Sequence, residues 1–201
     1  LTTGEPLPPC LDTIIYEGPD YGHPIWHALN PFYRAWLEAP CNPSHAQSHW
    51  ATNAAIAQSR PVTEAEYAEW LKSPSPARYV LKKLIEAEYP VSAIDVGCDR
   101  GMLVRYMGDL GVMPRRLIYG CDLLPSRIAS AQTMLRAANM PANVFQHDII
   151  NDDFPAPVES PFVFDLVTMF AVSGCFSDAQ FDTVLAKLRA TINPTWIVTT
   201  D

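Results

Sequence analysis

The chain has 201 residues, a net charge of −8 and an apolar fraction of 48%. This is enough for one domain with a real core plus an appendage. The acidic balance argues against non-specific nucleic-acid binding, which draws on Lys and Arg, and no apolar run approaches the roughly 18–20 residues of a membrane span.

The first residues, Leu1 to Pro6, contain neither an initiator Met nor the charged-then-apolar pattern of a signal peptide, so a trimmed chain is expected. Five cysteines (Cys10, Cys41, Cys98, Cys121 and Cys175) are an odd number without C-x-x-C spacing, which reads as reduced thiols in a cytoplasmic setting. Residues 1–60 are dense in proline and aromatics, among them Tyr16, Tyr21, Trp26, Phe32, Tyr33, Trp36 and Trp50. Asn30 followed by Pro31 starts one plausible helix, and a second covers His45–Gln58. Two readings stand: an extension packed over the main domain, or a substrate lid. His23 and His27 are four apart, as are His45 and His49, a helical spacing zinc can use. Pro24 interrupts the first pair and no Cys or Glu pattern completes a tetrahedron, so no metal is expected. These four histidines stand instead as candidate general bases, by their place in the lid.

Thr63 and Glu66 form a capping-box pattern that starts a helix running to about Lys72. Ser75 caps the next, with Pro76 at its first position, and Tyr79, Val80, Leu84 and Ile85 make its apolar face. A buried strand, Ala93 to Val96, then enters a glycine turn, Gly97 to Gly101, and a helix from Met102. Gly97 allows a sharp turn, and Gly101 lets the helix begin close to the strand or a ligand. That helix start presents unpaired N–H groups suited to a carboxylate or phosphate.

Leu117–Cys121 reads as strand two, with Asp122 at its carboxyl end, where ligands bind in open parallel sheets. An acid there can accept both hydroxyls of a ribose; the plain alternative is an Asp capping the next helix. Asn143–Gln146 reads as strand three, followed by His147, Asp148 and Ile149, for which a solvated turn Asp is the plain alternative. His147 reads as structural. Phe164–Ala171 is strand four; Ser177 with Gln180 caps the following helix; Thr195–Thr200 is strand five. Strands alternating with helices call for a parallel α/β sheet with right-handed crossovers.

The glycine turn departs from the dinucleotide fingerprint, since position 99 is Asp and position 102 is Met. Asp95, Val96, Gly97, Cys98 and Gly101 instead resemble motif I of class I S-adenosylmethionine-dependent methyltransferases, with Asp99 replacing the middle glycine. The run Asp122-Leu123-Leu124-Pro125-Ser126 resembles the stretch that follows the family's ribose acid. Phe164-Asp165-Leu166-Val167 with its capped helix resembles motif IV, although Phe170-Ala171-Val172-Ser173 stands where nucleic-acid amino-methylating enzymes carry Asn-Pro-Pro-Tyr. The resemblance covers Ala77–Asp201 and implies a Rossmann-like sheet in the order 3-2-1-4-5. The cofactor that the resemblance implies is S-adenosylmethionine, with Asp95, Gly97, Cys98, Asp99, Gly101, Asp122, Leu123, Asp148, Ile149 and Phe170 expected to hold it. Leu123 would lie against the adenine, Asp148 would receive its amino group, Ile149 would pack on the ring, and Phe170 would face the methionine part.

The division expected is 1–62 as extension or lid and 63–201 as the methyltransferase-like domain. The family's strands six and seven do not follow Asp201. A fragment, residues beyond those given, or replacement by the N-terminal segment would each account for this, and Leu11–Tyr16 is strand-like enough to cover the sheet edge. The function implied is methyl transfer to a small-molecule acceptor. The competing reading is a non-catalytic scaffold or partner-binding module, and fold alone decides neither. No motif names the acceptor or an oligomeric state.

Overall fold

The computed structural model describes residues 60–152, 154, 164–172 and 176–200, together with the backbone of Ile14–Tyr16. The helices expected over 31–58 and the histidines at 23, 27, 45 and 49 lie outside the described residues.

In chain order the elements are β1 (Ile14–Tyr16), α1 (Glu64–Lys72), α2 (Pro76–Glu88), β2 (Ala93–Val96), α3 (Met102–Asp109), β3 (Ile118–Asp122), α4 (Pro125–Ala137), β4 (Val144–Gln146), β5 (Leu166–Phe170), α5 (Asp178–Thr191) and β6 (Trp196–Thr200). The sheet order is β1-β6-β5-β2-β3-β4. The five strands from β2 onward are mutually parallel, so strand order and direction match the 3-2-1-4-5 expectation. β1 adds to the outer edge of β6 in the antiparallel sense, Ile15 opposite Thr199. The edge that strand five would otherwise leave open is thus paired by a segment from near the N-terminus.

The helix starts follow local chemistry. The Thr63 hydroxyl accepts from the Glu66 N–H, and the Glu66 carboxylate accepts from the Thr63 N–H at 2.9 Å. Ser177 and Gln180 repeat this box at α5. Ser75 caps α2, with Pro76 at the first helical position, where its missing N–H costs nothing.

Two apolar layers clamp the sheet. One contains Leu81, Ile85, Val104, Met107, Ile118, Met134 and Leu135; the other contains Ile94, Val96, Val167, Met169, Val184 and Leu188. On α2 the buried face runs through Ala77, Arg78, Leu81, Leu84 and Ile85, while Tyr79 and Val80 are only half-buried. Leu81 rather than Tyr79 centres that stripe because Leu81, Leu84 and Ile85 repeat at the i, i+3, i+4 spacing. Two arginines enter this side of the molecule. Arg78 lies 3.9 Å from the Trp70 ring centroid and donates to the Trp70 and Ser73 carbonyls at the end of α1. Arg105 lies 3.9 Å over Tyr67 and holds Glu64 through two hydrogen bonds of 2.7 Å. These contacts fasten α1 and α2 to the helix that leaves the glycine turn.

Candidate functional site

The carboxyl ends of β2, β3 and β5 meet around the turn Gly97–Gly101. The turn begins by bonding back to the neighbouring strand: the N–H groups of Gly97 and Cys98 both donate to the Cys121 carbonyl, at 2.8 and 2.9 Å. Three residues of the turn have positive φ: Gly97 at 75°, Asp99 at 47° and Gly101 at 83°. Asp is among the few non-glycine types that tolerate this region, which explains how Asp99 stands where a glycine was expected.

Each glycine has a definite neighbour. A Cβ on Gly97 would overlap Val172 Cγ2 from the end of β5, with Val172 Cβ 3.1 Å away. A Cβ on Gly101 would lie 3.0 Å from Ala131 Cβ and 3.3 Å from Met134 Cε, both on α4. The close approach at Gly101 is therefore between two crossover helices rather than helix and strand.

Asp122 ends β3 and is only 6% exposed. Its Oδ2 accepts from the Asp99 N–H at 3.0 Å and its Oδ1 from the Leu124 N–H at 2.9 Å. The N-cap of α4 is Leu124, so Asp122 orients the entry to the helix without being its cap. Burial pushes its carboxyl above the ordinary range, against the pull of the Leu124 N–H and of Arg127. Asp95, in the middle of β2, is 3% exposed and accepts from Thr168 Oγ1 at 2.7 Å. Burial pushes it up to about 7, with the charges of Asp122 and Asp99 adding to the effect. Cys98 and Cys121 are buried free thiols, both pushed upward by burial.

Around these acids, Leu123 is 40% exposed, an apolar side chain open beside the end of β3. Phe170 is half-buried at the end of β5, followed by Ala171 at φ 54°, a strained conformation for alanine. The Ala171 N–H donates to the Thr200 carbonyl at 2.9 Å, which ties the end of β5 to β6.

β4 is followed by a turn over residues 149–151. Asp148 closes its own turn: Oδ1 accepts from the Ile150 and Asn151 N–H groups, and Oδ2 accepts from the Asn151 side-chain amide at 2.8 Å. These bonds, led by that of Asn151, hold its carboxyl below the usual range. Ile149 is 7% exposed and belongs to the core layer of Ile94, Val96 and Val167. His147 is buried, with its ring centroid 4.7 Å from that of Phe154 and 6.1 Å from that of Phe145. Its backbone N–H donates to the Asp122 carbonyl at 3.0 Å.

Sequence reasoning gave no role to Arg127, whose side chain reaches back from α4 to the glycine turn. A basic residue five positions after the strand-end acid was the available signal. Among the described residues, no three His, Cys, Asp or Glu side chains form a group able to hold a metal, and no described helix is long and apolar enough to cross a membrane.

Residues 93–195, just over half of the chain, match the family model for a methyltransferase domain. The chain belongs to the class I S-adenosylmethionine-dependent methyltransferases. The solved structures similar to this methyltransferase domain include the PH0226 protein from Pyrococcus horikoshii OT3, with TM-score 0.50 and 16% identity, over 65% of this chain and 55% of that one. The methyltransferase domain of a bacterial Hen1, CtHen1-CN, has TM-score 0.49 and 17% identity, over 61% and 64%. An S-adenosylmethionine-dependent methyltransferase from Clostridium acetobutylicum ATCC 824 has TM-score 0.47 and 15% identity, over 75% and 53%. The chain thus spans 53–64% of the length of these proteins. At such identities the likeness concerns fold. No curated protein matches the methyltransferase domain in sequence.

Proposed function

We propose that this chain transfers the methyl group of S-adenosylmethionine to a small-molecule acceptor, and that residues 63–201 carry the reaction. The observation that carries the reading is the state of the Asp122 carboxylate. An ionised carboxylate has about four lone-pair positions. The Asp99 and Leu124 N–H groups take one on each oxygen, which leaves one per oxygen for the two hydroxyls of a ribose.

The other residues fit the same ligand. Leu123 offers an exposed apolar surface for the adenine, and the buried Ile149 follows Asp148 in the turn after the neighbouring strand. Asp148 Oδ2 keeps a free lone pair beyond its bond from Asn151 and can take the adenine amino group. Asp95, Asp99 and Asp122 together give the glycine turn a negative field, which suits a ligand bearing an ammonium and a sulfonium. Gly97, Cys98 and Gly101 supply backbone, and Phe170 with Ala171 borders the methionine end. When bound, S-adenosylmethionine supplies an electrophilic methyl group for in-line displacement. The chain's own contribution is to orient the donor and exclude water.

The acidic surface balance favours a small acceptor over nucleic acid. Cys98 and Cys121, both free and buried, agree with a cytoplasmic setting. His23, His27, His45 and His49 remain the candidate bases for a hydroxyl acceptor.

The test is calorimetric titration of wild type and Asp122→Ala with S-adenosylmethionine, S-adenosylhomocysteine and NAD. Both adenosyl ligands should bind and NAD should not. Losing two hydrogen bonds to a charged acceptor should weaken binding in Asp122→Ala by about 100-fold or more. A wild-type chain that binds none of the three would favour the non-catalytic scaffold.

A further inference from the structure

Arg127 lies in the first turn of α4, its side chain 19% exposed. Its Nε is 3.1 Å from Asp99 Oδ1, and its Nη1 is 4.0 Å from Asp122 Oδ2. Asp99 in turn donates its N–H to that same Asp122 oxygen. Glycine turn, strand end and helix start therefore close into a ring of three residues, joined by two side-chain contacts and one backbone N–H.

The two distances have different consequences. At 3.1 Å the Asp99 contact is a hydrogen-bonded ion pair. At 4.0 Å the Asp122 contact is beyond hydrogen-bond range but close enough for strong attraction in a shielded site. Arg127 thus favours the charge on Asp122 while occupying none of its lone pairs. A direct bond would have consumed an acceptor position that a diol needs. A neutral side chain would have left a desolvated acid beside two like charges, Asp99 and Asp95. Protonation would turn one acceptor oxygen into a donor and spoil it for a hydroxyl.

Resting on the cofactor reading above, we infer that Arg127 is a positioning residue for the ribose: its charge holds Asp122 in the diol-accepting ionised form, and its pairing with Asp99 keeps it off the carboxylate's open lone pairs. The groups facing Asp122 are Asp95 from β2, Asp99 and the Cys98 thiol from the turn, the Cys121 thiol beside it and Arg127 from α4. Arg100 adds a weaker partner for Asp99, with Nε 3.7 Å from Oδ2.

The experiment has two arms. In the first, the carboxyl of Asp122 is titrated by NMR in the ligand-free chain, for wild type, Arg127→Met, Arg127→Lys and Asp99→Asn. Arg127→Met should raise the midpoint by about one pH unit, a tenfold change in proton affinity, and Arg127→Lys should restore most of it. Asp99→Asn tolerates the same backbone conformation, removes a like charge and releases Arg127, so the midpoint should fall. In the second, S-adenosylhomocysteine affinity is measured from about pH 5 to about pH 8, with melting curves verifying that each variant is folded. The Arg127→Met deficit should widen as pH falls and should shrink in Arg127→Lys.

An Asp122 midpoint indifferent to Arg127 would overturn the inference. So would an affinity loss equal at every pH and unrelieved by Lys, which would leave Arg127 a packing role. If the midpoints shift as expected but wild type binds no S-adenosylhomocysteine at any pH, the cofactor reading fails and the ribose role falls with it, while the charge coupling stands.

Discussion

Thr168 Oγ1 donates a 2.7 Å hydrogen bond to Asp95 Oδ1, between residues that face each other directly across β5 and β2. Thr168 has no solvent exposure and Asp95 almost none, so an acid sits in the centre of the sheet with one hydroxyl donor as its support. Burial raises the Asp95 carboxyl to about 7 from the ordinary 3.8, and the Thr168 bond only partly opposes this. Because the folded value is the higher one, the unfolded chain ionises first. Stability is therefore lost as pH rises from about 4 to about 7 and stays lost above that. Asp95→Asn keeps an oxygen for Thr168 and cannot ionise. Its melting temperature should exceed wild type by several degrees near pH 8, and the gap should narrow steadily toward pH 4. Thermal unfolding at about pH 5 and about pH 8 checks this, and a gap independent of pH would contradict it. The same change should weaken S-adenosylmethionine binding, because the site loses negative charge.

Gly97 carries two separate constraints that a mutant cycle can divide. Its φ of 75° penalises any side chain by roughly 1–2 kcal/mol. Its Cβ position is already filled by Val172. Gly97→Ala should therefore destabilise the fold by more than the backbone term alone. Val172→Ala removes the overlapping methyl groups, so the double variant should recover part of the loss and keep a residue near the backbone value. Urea unfolding of the two single variants and the double gives the coupling. If the losses simply add, Val172 does not press on the turn.

Much of the fold was legible because its determinants are local. The capping boxes at Thr63 and Ser177, and Ser75 before Pro76, place three helix starts within a few residues. β2 runs over Ala93–Val96 as its apolar run implies, and Asp122 ends its strand. What escaped notice depends on distant partners. Nothing in the sequence around Arg78 or Arg105 signals burial, yet both are buried because aromatic rings and acceptors from α1 surround them, with Glu64 lying 41 positions from Arg105. Gly101 reads as a gap for a strand or ligand, but only the tertiary fold brings Ala131 of α4 there. Ile149 follows an acid, but that it packs in the core layer of Ile94, Val96 and Val167 is set by the tertiary path of the turn after β4, not by a local pattern. Asp148 is the reverse case: Asn151 and Asp152 three and four positions on were visible signs of a self-closing turn.

Arg105 fastens α1 to α3 by stacking on Tyr67, pairing with Glu64, and lying within 3.5 Å of Asp109, whose Oδ2 also accepts from the Tyr67 hydroxyl at 3.0 Å. The contributions are unequal. Glu64 is largely exposed, so water screens its pairing. The guanidinium face on Tyr67 is buried, and a desolvated cation–π contact contributes about 2 kcal/mol. Arg105→Met keeps the aliphatic stem and removes the planar charge, so it should cost most of that amount. Arg105→Lys should recover little, since an ammonium lacks the flat fork that stacks on a ring and grips both Glu64 oxygens. Glu64→Gln should cost only a small part of the Arg105→Met loss. Urea unfolding measures all three. Amide exchange in Arg105→Met should rise across Glu64–Lys72 while β2 and β5 keep their protection, because α1 is held from one side and the central strands from both. A Glu64→Gln variant as unstable as Arg105→Met would assign the fastening to the salt bridge instead.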